Sequence, residues 1–345
     1  MSDVLAGWEH QSFTAAGFTR DTYRRGSGPG VIVIHELPGI TPAVIRFADD
    51  VVERGFTVVL PDLVGVPGKE VSAPYLAASS LQMCVAKEFT AWALHRTSPI
   101  VAWLRALARR LHGEVGGPGV GAVGMCFSGG FALGMMVDDT MVAPVLSQPS
   151  LPLASGRGAG AGDLGLSPDD ETEVIRRAAE GCQVLGLRFT GDRMVGDARF
   201  ANLLDRLGDA FVAVELPSTS IRDHSVLTEQ RDDAAVERVL DFLVDKLQRS
   251  WVIGSLTDGQ GLGSYQWSPG WRRRSASLGP QVPRKYGWTA PGSSSAGCTT
   301  RQVCSTTSWR AKRRGDPAIA SPSSRSYAAE RSPSAAAKST EMSTS

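Results

Sequence analysis

The decapeptide GAVGMCFSGG, residues 121–130, sets a thiol among small residues. Gly124 stands two places before Cys126 and Ser128 two places after. That spacing suits a sharp turn from strand to helix, which lifts a nucleophile clear of the backbone. Ser128 competes for the role, but Cys126 ends the strand-like run while Ser128 falls within the helix that follows. A free thiol ionises only near pH ~8.5, so it needs help at neutral pH. A helix N-terminus supplies a favourable dipole and a nearby base supplies the rest. The chemistry on offer is attack on an acyl carbon.

Of the five histidines, His224 in RDHSVL comes after every strand-like segment and before the last helix. His35, at a strand end, is the rival base; His10 and His112 read as surface residues. An acid must orient the imidazole. FTGDRMVGD offers Asp192, in a turn directly after a strand, and Asp197, better placed as a helix cap. Asp223 is too near His224 in sequence to reach its ring. Glu36 reads either as a solvated loop residue or as a neighbour of the thiol that controls its protonation. The backbone N–H groups of Leu37 and Phe127 form the candidate oxyanion hole.

These residues need a frame that brings strand ends together. VIVI (31–34), FTVVLPDL (56–63), VGAVGM (120–125), MVAPVLSQP, CQVLGLRFTGD and AFVAVELP read as strands. Helical patterns lie between them, with Thr41, Ser98 and Ser167 as caps, each followed by proline. Strand–helix alternation predicts an α/β class with a mostly parallel sheet and helices on both faces. Ligands of such sheets sit beyond the strands' carboxyl ends, where Glu36, Cys126, Asp192 and His224 all fall. The order nucleophile, acid, histidine is that of α/β-hydrolases. Residues 69–97 read as an excursion or lid, and 156–165 as a flexible insertion.

The formal net charge of +1 conceals an asymmetry. Residues 1–250 carry 23 Lys/Arg against 31 Asp/Glu, and residues 251–345 carry 13 against 4. The latter stretch has no helical or strand period and is rich in serine. The division expected is a hydrolase domain at 1–249 and a basic, low-complexity, disordered tail at 250–345. Out-of-frame translation of a GC-rich gene also accounts for such a tail. Five irregularly spaced cysteines fit neither a disulfide framework nor a zinc site. The start lacks a signal-peptide pattern and no run is long enough to span a membrane. The chain therefore reads as cytoplasmic, with no metal and no cofactor, acting on a small-molecule substrate.

The segments VIVIHELPGIT, GAVGMCFSGGFAL, LRFTGD and HSVL, within residues 25–247, resemble the dienelactone hydrolases, which are cysteine α/β-hydrolases. The resemblance implies a Cys126–Asp192–His224 triad, a thioester acyl-enzyme and a Glu36 that holds the resting thiol. It implies hydrolysis of an enol-lactone, as a carboxymethylenebutenolidase does. Three features depart from the family pattern. Ser128 replaces a glycine, a glycine-rich insertion occupies 154–166, and Thr228 stands where the family has an arginine for the substrate carboxylate. Arg222 and Arg96 are the candidate replacements for that arginine. Two other readings compete: a non-catalytic ligand-binding or thiol redox-sensing protein of the same fold, and a nucleic-acid-binding arm formed by the basic tail.

Overall fold

The computed structural model describes residues 3–86, 89, 96–150 and 160–249. The tail at 250–345, most of the stretch from 87 to 95 and the first part of the insertion lie outside the described residues. Eight strands form one sheet: β1 (Glu9–Ala15), β2 (Phe18–Gly26), β3 (Gly30–Ile34), β4 (Thr57–Pro61), β5 (Val120–Met125), β6 (Met141–Ser147), β7 (Val184–Phe189) and β8 (Phe211–Leu216). Their spatial order is β1-β2-β4-β3-β5-β6-β7-β8. The first two strands pair antiparallel, as do β2 and β4; from β4 onward every pairing is parallel. This is the α/β-hydrolase-like architecture expected, with a hairpin added in front. That hairpin turns through Ala16 and Gly17, both at positive φ (49° and 81°), the geometry a two-residue turn needs to match strand twist.

Among the described residues the helices are α1 (Pro42–Glu53), α2 (Ala73–Val85), α3 (Ile100–Val115), α4 (Gly129–Met135), α5 (Pro168–Ala179), α6 (Asp197–Leu207) and α7 (Asp233–Val244). Thr41 caps α1, its side chain accepting from Val44 N–H, and Ser167 caps α5 in the same way through Asp170. Ser98 does not cap α3; Pro99 takes that position. The parallel strands carry apolar residues on both faces, so two cores form. Val31, Val33, Val123 and Met125 join the layer that holds α1 and α7. Ile32, Ile34 and Ala122 join the layer that holds α3, α4 and α6. Trp103 of α3 is fully buried there, and burial of so large a side chain contributes about 1.5–3 kcal/mol. Its indole N–H donates to Phe13 O at 3.2 Å and so anchors the hairpin to the second layer. None of the described helices is long and apolar enough to cross a membrane.

Candidate active site

The parallel strands end together at one rim, and β5 runs straight into Cys126. Cys126 has φ +56°, a region that costs an ordinary residue of order 1–3 kcal/mol and persists only where the surroundings fix it. They do so by close packing. A Cβ on Gly124 would lie 2.2 Å from Ser128 O, and one on Gly129 would lie 2.7 Å from the Pro149 side chain. Ser128 is fully buried. Its Oγ accepts from Met125 N–H at 2.8 Å and lies 2.9 Å from the carbonyls of Ile34 and Met125. The hydroxyl ties the elbow to the neighbouring strand. That gives the Ser128 hydroxyl a structural role and leaves Cys126 as the group at the rim.

Asp192 and His224 meet across the ends of β7 and β8. His224 Nδ1 lies 2.7 Å from Asp192 Oδ2. The other carboxylate oxygen accepts from Met194 N–H (2.8 Å) and Val195 N–H (3.3 Å), which fixes the orientation of the acid. The loop bearing the histidine is fastened by Gln230, whose Oε1 accepts from the N–H of His224 and of Ser225. Among the described residues Nε2 of His224 is buried with no partner in regular hydrogen-bond geometry. Burial disfavours a charged imidazole. The negative charge of Cys126 and the hydrogen bond to Asp192 outweigh that, and hold the pKa of His224 well above the ordinary histidine range. Cys126 is thus close enough to His224 to couple with it electrostatically.

The rival residues are engaged elsewhere. Asp197 opens α6 with its side chain exposed and pairs with Arg188 at 2.7 Å. His35 is fully buried and burial lowers its pKa to about 4. Its Nδ1–H donates to Glu36 O, and Nε2 accepts from Leu63 N–H (3.1 Å) and Val64 N–H (3.4 Å). It is a neutral brace between two strand ends. His10 pairs with Asp21 at the hairpin, and His112 lies 3.0 Å from Gly117 O at the end of α3.

Glu36 is 4% exposed and so is not a solvated loop residue. Oε2 accepts from Ser225 Oγ (2.7 Å) and Gln148 Nε2 (3.1 Å), and Oε1 accepts from Thr228 Oγ1. Thr228 and Ser225 are uncharged donors on the histidine loop. Both oxygens are thus engaged by that loop and by Gln148. Cys126 Sγ lies 3.1 Å from Ser150 Oγ. Leu37 directly follows Glu36 in the turn after β3. Phe127 directly follows the thiol.

Arg222 and Arg96 are both exposed. The buried cation near the thiol is Arg199 on α6, 3% exposed. Burial lowers its pKa to about 10, against the opposing charges of Asp163 and Cys126. Ser150, Gln148 and Arg199 are absent from the sequence-based set. The rule that found the other residues, polar groups just past each strand, would have reached SQPS after β6 had it been applied to that strand too. Among the described residues no cluster of histidine, cysteine and carboxylates could hold a metal ion.

None of the curated proteins compared matches the chain. Solved structures do. The 2,6-dihydroxy-pseudo-oxynicotine hydrolase is 13% identical over 70% of this chain and 69% of its own, with a TM-score of 0.50. The dienelactone hydrolase-like promiscuous phosphotriesterase P91, from metagenomic libraries, is 19% identical over 70% and 98%, with a TM-score of 0.48. A cold-adapted esterase from an Arctic intertidal metagenomic library is 16% identical over 70% and 96%, with a TM-score of 0.47. At such identities the likeness speaks for the fold alone. Residues 16–245 fit the dienelactone hydrolase family, and the chain belongs to that family.

Proposed function

We propose that the chain hydrolyses a small ester or lactone through Cys126, His224 and Asp192. The observation that most supports this is the 2.7 Å Asp192–His224 pair, with an imidazole that feels the charge of a cysteine set at φ +56°. The Cys126 thiolate adds to the substrate carbonyl carbon. The oxygen takes the negative charge and lies against the N–H groups of Leu37 and Phe127. Collapse breaks the C–O bond, and the leaving alkoxide takes the proton from His224 Nε2. A water then gives a proton to the same nitrogen as its oxygen attacks the thioester, releasing the acid and the thiolate. Asp192 holds the imidazole so that Nε2 faces sulfur throughout.

On this reading Thr228 bears on the substrate. A threonine cannot pair with a carboxylate as an arginine fork does, and this one is committed to Glu36. Uncharged activated esters and simple lactones are therefore the better substrates, ahead of an enol-lactone that carries a carboxylate. The test is turnover of p-nitrophenyl esters and lactones by the parent chain and by Cys126→Ala and His224→Ala. Loss of turnover in both variants, with folding retained, is the expected result. Unchanged turnover in Cys126→Ala would defeat the reading.

A further inference from the structure

The hydroxyl of Ser150 has a single hydrogen-bond partner among the described residues, the sulfur of Cys126 at 3.1 Å. The residue is 1% exposed, so water does not serve it. Two features hold it in place. Its backbone N–H donates to Cys126 O at 3.0 Å, which closes a small ring of contacts between the loop after β6 and the elbow. Two residues earlier Gln148 takes φ +35°, uncommon for a residue with a side chain. The Gln148 side chain is pinned on both atoms: Nε2 donates to Glu36, and Oε1 accepts from Val226 N–H (3.3 Å) and from Ser147 Oγ. The turn that points Ser150 at sulfur is thus fixed from three sides.

The direction of the hydrogen bond follows from chemistry. A thiol S–H is a weak donor and a hydroxyl is a good one. A buried O–H with no other acceptor among the described residues would remain unsatisfied, at a real cost. Its proton therefore points at sulfur, and a hydrogen bond to the charged form of an acid favours that form. The charged groups that face the sulfur are compatible. His224 approaches from the loop before α7 and Arg199 from the first turn of α6, both coupled to Cys126. Asp192 stands behind His224 and Asp163 beside Arg199. The Glu36 carboxylate is occupied by the histidine loop and Gln148.

We propose that Ser150 is a positioning residue that donates to Cys126 Sγ and keeps it an aimed thiolate before any substrate arrives. The inference rests on Cys126 being the nucleophile. It assigns to a neutral hydroxyl the hold on the resting sulfur that the family resemblance places on Glu36, and it makes the resting protein reactive toward thiol reagents.

The test is alkylation of Cys126 by iodoacetamide as a function of pH, in the full chain. Peptide mass spectrometry separates Cys126 from the other cysteines. Ser150→Ala should move the rate profile to higher pH by about one unit, so that alkylation below the rise slows about tenfold, equivalent to about 1.4 kcal/mol. Ser150→Gly serves the same purpose if alanine disturbs folding. Ser150→Thr, which keeps a hydroxyl, should hold the parent profile. A profile for Ser150→Ala or Ser150→Gly that superimposes on the parent's overturns the proposal. That failure is distinct from failure of the hydrolase reading, which is read from turnover by Cys126→Ala and not from alkylation.

Discussion

Replacing Asp192 by asparagine changes one charge and almost no volume. In the variant the side-chain oxygen can still accept from Met194 and Val195 N–H. The amide NH2 then faces His224 Nδ1, where the carboxylate stands 2.7 Å away in the parent. Two donors cannot share that gap, so the imidazole must turn Nδ1 into an acceptor and carry its proton on Nε2. A doubly protonated ring, which the first step of catalysis needs, is disfavoured. The hydrogen bond to a charged partner contributes about 1.5–3 kcal/mol, or about 10- to 150-fold in rate. The wrong tautomer adds to this, with about 10⁴-fold as the ceiling for a triad carboxylate. The assay is kcat/KM for a p-nitrophenyl ester across pH, with the melting temperature as a control. A loss between about 10²- and 10⁴-fold is expected, with little change in Tm. The alkaline limb should also move to lower pH. Asp192 helps to raise the pKa of His224, so without it the proton on the ring is lost earlier as pH rises. Activity within threefold of the parent would refute the reasoning.

Other perturbations probe separate parts of the account. Gly124→Ala puts a Cβ 2.2 Å from Ser128 O, so the elbow must open; a destabilisation of about 1–3 kcal/mol is expected in denaturant melts, with loss of turnover. His35 should make stability fall with acid. Its pKa of about 4 in the folded chain lies below the unfolded value of 6.5, so its contribution is present above pH 6.5 and lost as pH falls through 4. That amounts to about 3 kcal/mol, and His35→Asn should flatten the unfolding free energy over this window. Glu36→Gln can keep its carbonyl toward Ser225 and Gln148 and turn its NH2 to the Thr228 hydroxyl. It should stay within about fivefold of the parent in kcat/KM, whereas Glu36→Ala, which strands three donors, should lose about 1–3 kcal/mol per buried group in a denaturant melt.

The central strands were legible because a strand buried on both faces is an unbroken apolar run, as VIVI and VGAVGM are. Thr41 and Ser167 announced their helices by capping chemistry that the local sequence settles. The N-terminal hairpin was not legible: β1 is half exposed and polar, and its turn is Ala16–Gly17 where Asn-Gly would have signalled it. The site divides along similar lines. Position after a strand marked Cys126, Asp192, His224 and Glu36. The partners of Glu36 are not local, since Ser225 and Thr228 come to it from 189 and 192 residues away. Which hydroxyl faces which carboxylate is fixed by packing at the rim, and so is the contact between Ser150 and Cys126. Short-range pattern carries no trace of either.

The most direct test of the central claim is to quench the chain during turnover of a slowly deacylating ester and locate the acyl group by tandem mass spectrometry. The account predicts the acyl mass as a thioester on Cys126, absent from Cys126→Ala. An acyl group on Ser128, Ser150 or no residue, with turnover continuing when Cys126 is replaced, would contradict it.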